Sequence, residues 1–186
     1  MRVYQVKPDY KYFGLYTWRE KGTKVLVLDG SPRLATWTPL SFEWDKPNRA
    51  HANIEFVNGT SFAIDEIAHE ALSRSLSGSC EFLPLLPNGG TQYYLLNVLG
   101  RCDCLSDTTP NGYTNESPGN YTKPTNEYKF LSSRIPAQPL FLLPMGIQVM
   151  TSVGRAEPEL EFRSIVESKG LSGVEFKLVW TDEGLY

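Results

Sequence analysis

Apolar and polar positions change rhythm several times along this chain, and the sharpest pattern lies in the middle. Residues 80–86, CEFLPLL, and 91–99, TQYYLLNVL, are two apolar runs separated by Pro87-Asn88-Gly89-Gly90. They predict a β-hairpin, because Asn-Gly supplies the positive φ of a tight primed turn and the flanking Pro and Gly suit a short loop. A loop of even length sets Phe82 opposite Leu95, Pro84 opposite Tyr93 and Leu86 opposite Thr91 on one face, with Leu83 opposite Tyr94 on the other. Both faces are then apolar, so the hairpin needs cover on both sides. Pro84 donates no ladder hydrogen bond, which places residues 81–86 at a sheet edge or at a bulge.

Before the hairpin, residues 1–23 scatter tyrosines without a period and predict an irregular packed arm. Lys24–Leu28 (KVLVL) reads as a strand stopped by Asp29-Gly30-Ser31-Pro32. Residues 36–48, with Trp37, Phe42 and Trp44 among prolines, read as a loop whose aromatics plug a core. Ala52–Phe56 alternates as a half-buried strand closed by Asn58-Gly59. From Ile64 to Leu76 the period becomes helical: Ile64, Ile67, Ala68, Ala71, Leu72 and Leu76 form one stripe, Asp65 is placed to cap the start and Gly78 to end it.

After the hairpin, residues 106–127 contain no aliphatic side chain, which marks a long loop or insertion. Loops beyond about 12–15 residues inside compact domains are usually either functional or disordered, and both readings stand. Residues 128–131, 139–143 and 147–153 read as short strands. Glu157-Pro158 opens a second helix whose apolar side is Leu160, Phe162, Ile165 and Val166, and Gly170 with Leu171 closes it in a Schellman cap. Gly173–Trp180 is a closing strand with Val174, Phe176, Leu178 and Trp180 on one side. The expected class is α+β: a mostly antiparallel sheet with a central hairpin and two or more packing helices.

Composition narrows this picture. A chain of 186 residues with 41% apolar and 21% charged side chains is an ordinary globular composition. At this size roughly 70% of the unfolded surface can be buried, so one domain over 1–186 is expected, with 106–127 an insertion rather than a boundary. The net charge of −3 offers no footprint for a phosphate backbone, and nucleic acid is not an expected partner. No run approaches the ~18 apolar residues of a membrane span, and the first residues lack an apolar leader, so no membrane contact and a cytoplasmic location are expected. Three cysteines, two of them in Cys102-Asp103-Cys104, read as free thiols. The sequons at Asn58, Asn115 and Asn120 are then expected to stay unmodified.

The chemistry-bearing residues form no recognisable constellation. His51 reads as a loop residue and His69 as a surface helix residue with no ligand at helical spacing. Cys102-Asp103-Cys104 lacks the second pair that a zinc site needs and reads as small side chains at a strand end. Gly89-Gly90 matches no phosphate-binding spacing, and Ser31, Ser77 and Ser79 sit outside any nucleophile elbow. Asp65, Glu66 and Glu70 are explained by helix capping and solvation, and Trp37 and Trp44 by core packing. No catalytic, metal or cofactor residue is expected, and the oligomeric state is left open.

Three stretches together carry a resemblance. Ser79-Cys80-Glu81-Phe82-Leu83-Pro84-Leu85, Tyr93-Tyr94-Leu95-Leu96-Asn97-Val98 and Cys102-Asp103-Cys104-Leu105 are similar to the signature of immunity-protein family eleven of bacterial polymorphic toxin systems. Pro139-Leu140-Phe141 and Lys169-Gly170-Leu171-Ser172-Gly173-Val174-Glu175-Phe176 resemble that family's closing helix, glycine cap and strand. The likeness spans roughly residues 61–180 and is weak before them. The chain departs from the pattern in the length of 106–127 and at Ala156-Glu157-Pro158, where Ser or Asp would cap the helix. The resemblance implies a non-enzymatic protein that binds a cognate toxin and neutralises it by occlusion; it supplies no functional residue to transfer.

The candidate contact residues therefore come from the polar loop: Asn111, Tyr113, Asn115, Glu116, Asn120 and Tyr121. Tyrosine buries a large area at modest entropy cost. The alternatives are a small enzyme of unrecognised type, which needs His51 or Cys102 in a pocket beside a carboxylate, and a general protein-interaction module.

Overall fold

Asp65 is the point at which the chain changes period. Its carboxylate accepts a hydrogen bond from the Ala68 N–H at 2.8 Å, so the strand that ends there turns directly into a helix. In the computed structural model, residues 1–12, 16–17, 28–44, 50–57, 61–86, 90–106, 128–144, 148–154 and 157–183 are described, with 16–17 and 43–44 as backbone only. Their elements run β1 (Arg2–Pro8), β2 (Tyr16–Thr17), β3 (Glu43–Trp44), β4 (Ile54–Val57), β5 (Ser61–Asp65), α1 (Glu66–Leu76), β6 (Cys80–Pro84), β7 (Tyr93–Val98), β8 (Phe141–Leu142), β9 (Val149–Val153), α2 (Phe162–Ser168) and β10 (Val174–Thr181). Short 3₁₀ turns cover Leu34–Thr36, Ser132–Arg134 and Pro158–Leu160.

The fold is α+β, with two four-stranded antiparallel sheets and two helices. One sheet has the order β10-β1-β9-β8, the other β4-β5-β7-β6, and β2 pairs with β3 as a small ribbon. The largest core lies between the sheets, where Val6, Leu142 and Val149 from the first meet Ile54, Phe62, Ile64 and Leu96 from the second, together with Leu72 of α1 and Phe162 of α2. Val3, Met150, Phe141 and Val179 on the other face of the first sheet pack with Cys104, Phe130 and Ile135. Ala63, Leu83, Leu95 and Tyr93 on the other face of the second are covered by Leu28, Trp37, Leu40 and Phe42. Among the described residues, no helix is long and apolar enough to cross a membrane.

The hairpin is therefore covered on both faces, and β6 lies at the sheet edge, where Pro84 costs no ladder bond. Its carbonyl is used instead: the Trp37 indole donates to Pro84 O at 2.8 Å. Phe42 packs edge-on to Tyr93, as expected of an aromatic plug. The register is one residue away from the expected one, with Phe82 opposite Leu96, Leu83 opposite Leu95 and Pro84 opposite Tyr94. The slip places Leu95 with Leu83 on the face under Phe42 rather than with Phe82 on the face toward α1.

Several other expectations need correction. Residues 2–8 are not an irregular arm but β1, an interior strand between β10 and β9. Val3 and Tyr4 are both buried because both faces of this interior strand are covered, Val3 by the second core and Tyr4 under Arg163, so the polar-apolar alternation that would mark a half-buried strand is missing. The pairing with β10 shifts between them, leaving Val179 of β10 as an extra residue. That bulge turns Trp180 to the side of Val179 in the opposite core, while Val174 and Phe176 face the core between the sheets, so these residues of β10 do not share a side.

The expected second helix is two elements broken at Glu161, whose backbone is extended. The Glu161 side chain, 4% exposed, accepts from the Gly154 N–H at 2.5 Å and from the Ser164 hydroxyl at 2.9 Å. Those bonds hold the acid inward and stop the 3₁₀ turn from running on into α2. Ile64 belongs to β5 rather than to α1, and Ile67 is exposed. Residues 128–131 form one bridge, Phe130 with Leu105, and no strand. The strand expected at 24–28 falls outside the described residues except for the buried Leu28.

Gly173 joins the sheets. Its φ is +105°, and a Cβ there would stand 1.8 Å from Ile54 O, so only glycine lets the start of β10 lie against β4. Beside it, the Ser172 N–H donates to Asn53 Oδ1 at 3.1 Å and the Ile54 N–H to Ser172 O at 3.0 Å.

Candidate functional site

The stretch that follows β7 crosses from one sheet to the other. Gly100 leaves β7 with φ +76° and donates its N–H to Gly30 O at 2.9 Å; two residues later the Cys102 N–H bonds to Leu142 O at 2.8 Å on the edge of the first sheet. The chain then pairs with the far side of the polar loop: Ser106 N–H to Lys129 O at 2.7 Å and Leu131 N–H to Cys104 O at 2.8 Å. The 3₁₀ turn at Ser132–Arg134 folds back over Cys102, whose thiol donates to Arg134 O at 3.1 Å.

These crossings border an open cavity of about 430 Å³ lined in part by Arg101, Cys102, Asp103, Arg134, Gln138 and Phe141. Phe141 is 1% exposed and fixed in the adjoining core. The Arg101 guanidinium is held by Asp29 O at 3.0 Å and Pro144 O at 3.1 Å. Arg134 and Asp103 form a loose pair at 3.6 Å with both side chains mostly exposed. Burial, with the Asp103 charge as a smaller contribution, pushes the Cys102 thiol above its ordinary value. Cys104 is fully buried and Cys80 is pushed up to about 12 by burial.

A second polar cluster lies where the Asp29 turn meets β6 and β7. Glu81 accepts from the Arg33 N–H at 2.7 Å and the Asn97 amide at 2.9 Å, and Asn97 also donates to Ser31 O. Burial works against ionisation of Glu81, yet these donors outweigh it and hold its carboxyl below the usual range. Asp29 accepts from the Ser31 hydroxyl at 2.5 Å, which with the Ser31 N–H lowers its pKa to about 2. Ser31 is thus part of an Asx-type turn that fixes loop to sheet.

The six loop residues chosen from sequence, Asn111, Tyr113, Asn115, Glu116, Asn120 and Tyr121, lie outside the described residues. What is described is their root, the pairing of 104–106 with 129–131 beside the cavity. His69 is not a surface residue: half-buried, it stacks on Tyr94 with centroids 4.1 Å apart and meets Phe82 edge-on. Among the described residues, no three His, Cys, Asp or Glu side chains converge on a metal-sized site. Sequence reading singled out Cys102-Asp103-Cys104 but not Arg101 or Arg134, because a turn 30 residues downstream brings the second arginine to the first. No protein-family model and no curated protein matches the chain.

Proposed function

We propose that this protein is a binding inhibitor of the immunity type, which neutralises a cognate bacterial toxin by covering it. The observation that carries the reading is that the two stretches bearing the resemblance, 79–105 and 139–176, meet in one core. Cys80, Leu96 and Val98 pack there with Leu140, Phe162, Val166 and Leu171. Their polar members are used structurally as well: Glu81 and Asn97 pin the Asp29 turn, and Ser172 pins Asn53. Such a signature specifies a scaffold and leaves recognition to the surface, where the loop rooted at Leu105 and Phe130 is the contact element.

The enzyme reading has one observation in its favour, since the cavity does set Cys102 beside Asp103. The chemistry runs the other way. A thiol whose pKa is raised, and which donates to a carbonyl, is a poor nucleophile. The His69 imidazole that would activate it is stacked on β7 instead.

Co-expression with the product of the adjacent gene tests the proposal: rescued growth and a stable complex are expected, and failure of both overturns it. Deleting residues 108–122 is expected to weaken that complex at least about tenfold, or ~1.4 kcal/mol. Unchanged affinity would remove the loop as the contact element.

A further inference from the structure

We propose that the cavity between Arg101 and Arg134 is a binding site for a carboxylate carried on a short apolar stem. Its volume of about 430 Å³ falls in the range of small-ligand sites, and its arrangement has two parts. Pro136 supplies an apolar part of the lining, backed by the buried Phe141. The charged residues of the described lining are Arg101, Arg134 and Asp103, so it carries one net positive charge and suits one negative charge rather than a dianion.

The two arginines differ in freedom. Arg101 is pinned by two backbone oxygens, which sets its charge at the rim without neutralising it. Arg134 is paired to Asp103 only at 3.6 Å, well beyond the 2.7–2.9 Å of a close charge-assisted bond. Its planar fork can therefore turn to a ligand carboxylate and bind it bidentately at little cost. The Gln138 side chain adds an amide to the same lining.

Cys102 gives a direct readout. It is half-buried in the cavity wall, whereas Cys80 and Cys104 are buried, so alkylation by iodoacetamide at alkaline pH reports on this one thiol. With a dissociation constant of about 1 mM, ~10 mM valerate would leave roughly a tenth of the sites open and slow alkylation about tenfold. Neutral valeramide, at matched ionic strength, is expected to leave the rate unchanged. In Arg134→Gln, whose altered side chain is 54% exposed and whose folding a thermal melt verifies, the protection is expected to disappear. Calorimetric titration of valerate gives the same comparison without relying on thiol reactivity.

N-acetylglutamic acid α-amide, run in parallel, separates the two sources of such a group. Protection by valerate alone assigns a free acid, protection by the amide alone assigns an acidic protein side chain, and protection by both supports the shared chemistry. No binding of either probe, equal protection by valeramide, or protection that survives in Arg134→Gln overturns the proposal. The outcome is independent of toxin binding, which the co-expression experiment reads separately.

Discussion

The two sheets are built from opposite kinds of sequence. The β4-β5-β7-β6 sheet comes entirely from residues 54–98, as two hairpins with α1 between them. The β10-β1-β9-β8 sheet joins the two ends of the chain, with Arg2 opposite Thr181 and Val3 opposite Ser152. Local pairing repays its ordering cost at once, whereas distant pairing must first close a long loop. The second sheet of contacts forms only if something holds β10 in place, and the residues placed to do so are Ser172 and Gly173 against Asn53 and Ile54.

Substitution at Gly173 is the most direct way to break this asymmetry. Gly173→Ala puts a methyl at 1.8 Å from a backbone oxygen and 2.6 Å from the Ala52 Cβ, at a φ of +105°. Neither the strand nor the oxygen can move aside without losing the pairing around Ile54, so a loss of about 4 kcal/mol in urea unfolding is expected. Native-state hydrogen exchange should show where it falls: amides of β1 and β10 lose protection, while those of β5 and β7 keep theirs. Equal loss in both sheets would mean that they stand or fall together.

The same asymmetry explains what could be read in advance. The hairpin, α1 with its Asp65 cap and the cover on both faces of β6 and β7 follow from patterns confined to a few neighbouring residues. The strand β1 does not, because Val3 and Tyr4 are buried on opposite faces by segments far along the chain, Phe141 and Val179 on one side and Arg163 on the other. The hairpin register escaped for a local reason: Pro-Asn-Gly-Gly marks a turn without specifying how many residues leave the ladder. At the candidate site, Cys102 and Asp103 were visible as a motif. The cavity was not, since Arg134 reaches it through tertiary folding alone.

Glu55 offers a way to probe the local sheet by pH. It is 2% exposed on β4, accepts from the Ala52 N–H at 2.7 Å, and burial, with a smaller contribution from Asp65, raises its pKa to about 7. An unfolded glutamate titrates near ~4.3. Below that pH the acid is neutral in both states and the fold keeps its full stability. Between about 4.3 and 7 the unfolded chain releases the proton and the folded chain retains it, so stability falls as pH rises, by up to about 3 kcal/mol. Glu55→Gln removes this slope. Urea midpoints from pH 4 to 8 should show the variant gaining on the parent protein as pH rises; parallel curves would mean that Glu55 titrates normally.

The smallest expected effect is the most local one. Asp65 caps α1 through Ala68 and accepts from the Asn53 amide at 2.9 Å, so it ties helix, strand and the Asn53 junction together. Asp65→Ala should cost about 1 kcal/mol for the cap, with a further fraction for the Asn53 bond. Asp65→Asn keeps an acceptor for Ala68 and should lose less. Because the Asp65 charge helps raise the Glu55 pKa, Asp65→Asn should also move the Glu55-dependent stability loss to lower pH. A midpoint loss with no shift in that transition would confine Asp65 to capping; a shift without a midpoint loss would make it chiefly an electrostatic neighbour of Glu55. The two readouts together decide whether the helix cap and the buried acid behave as one unit of the local sheet.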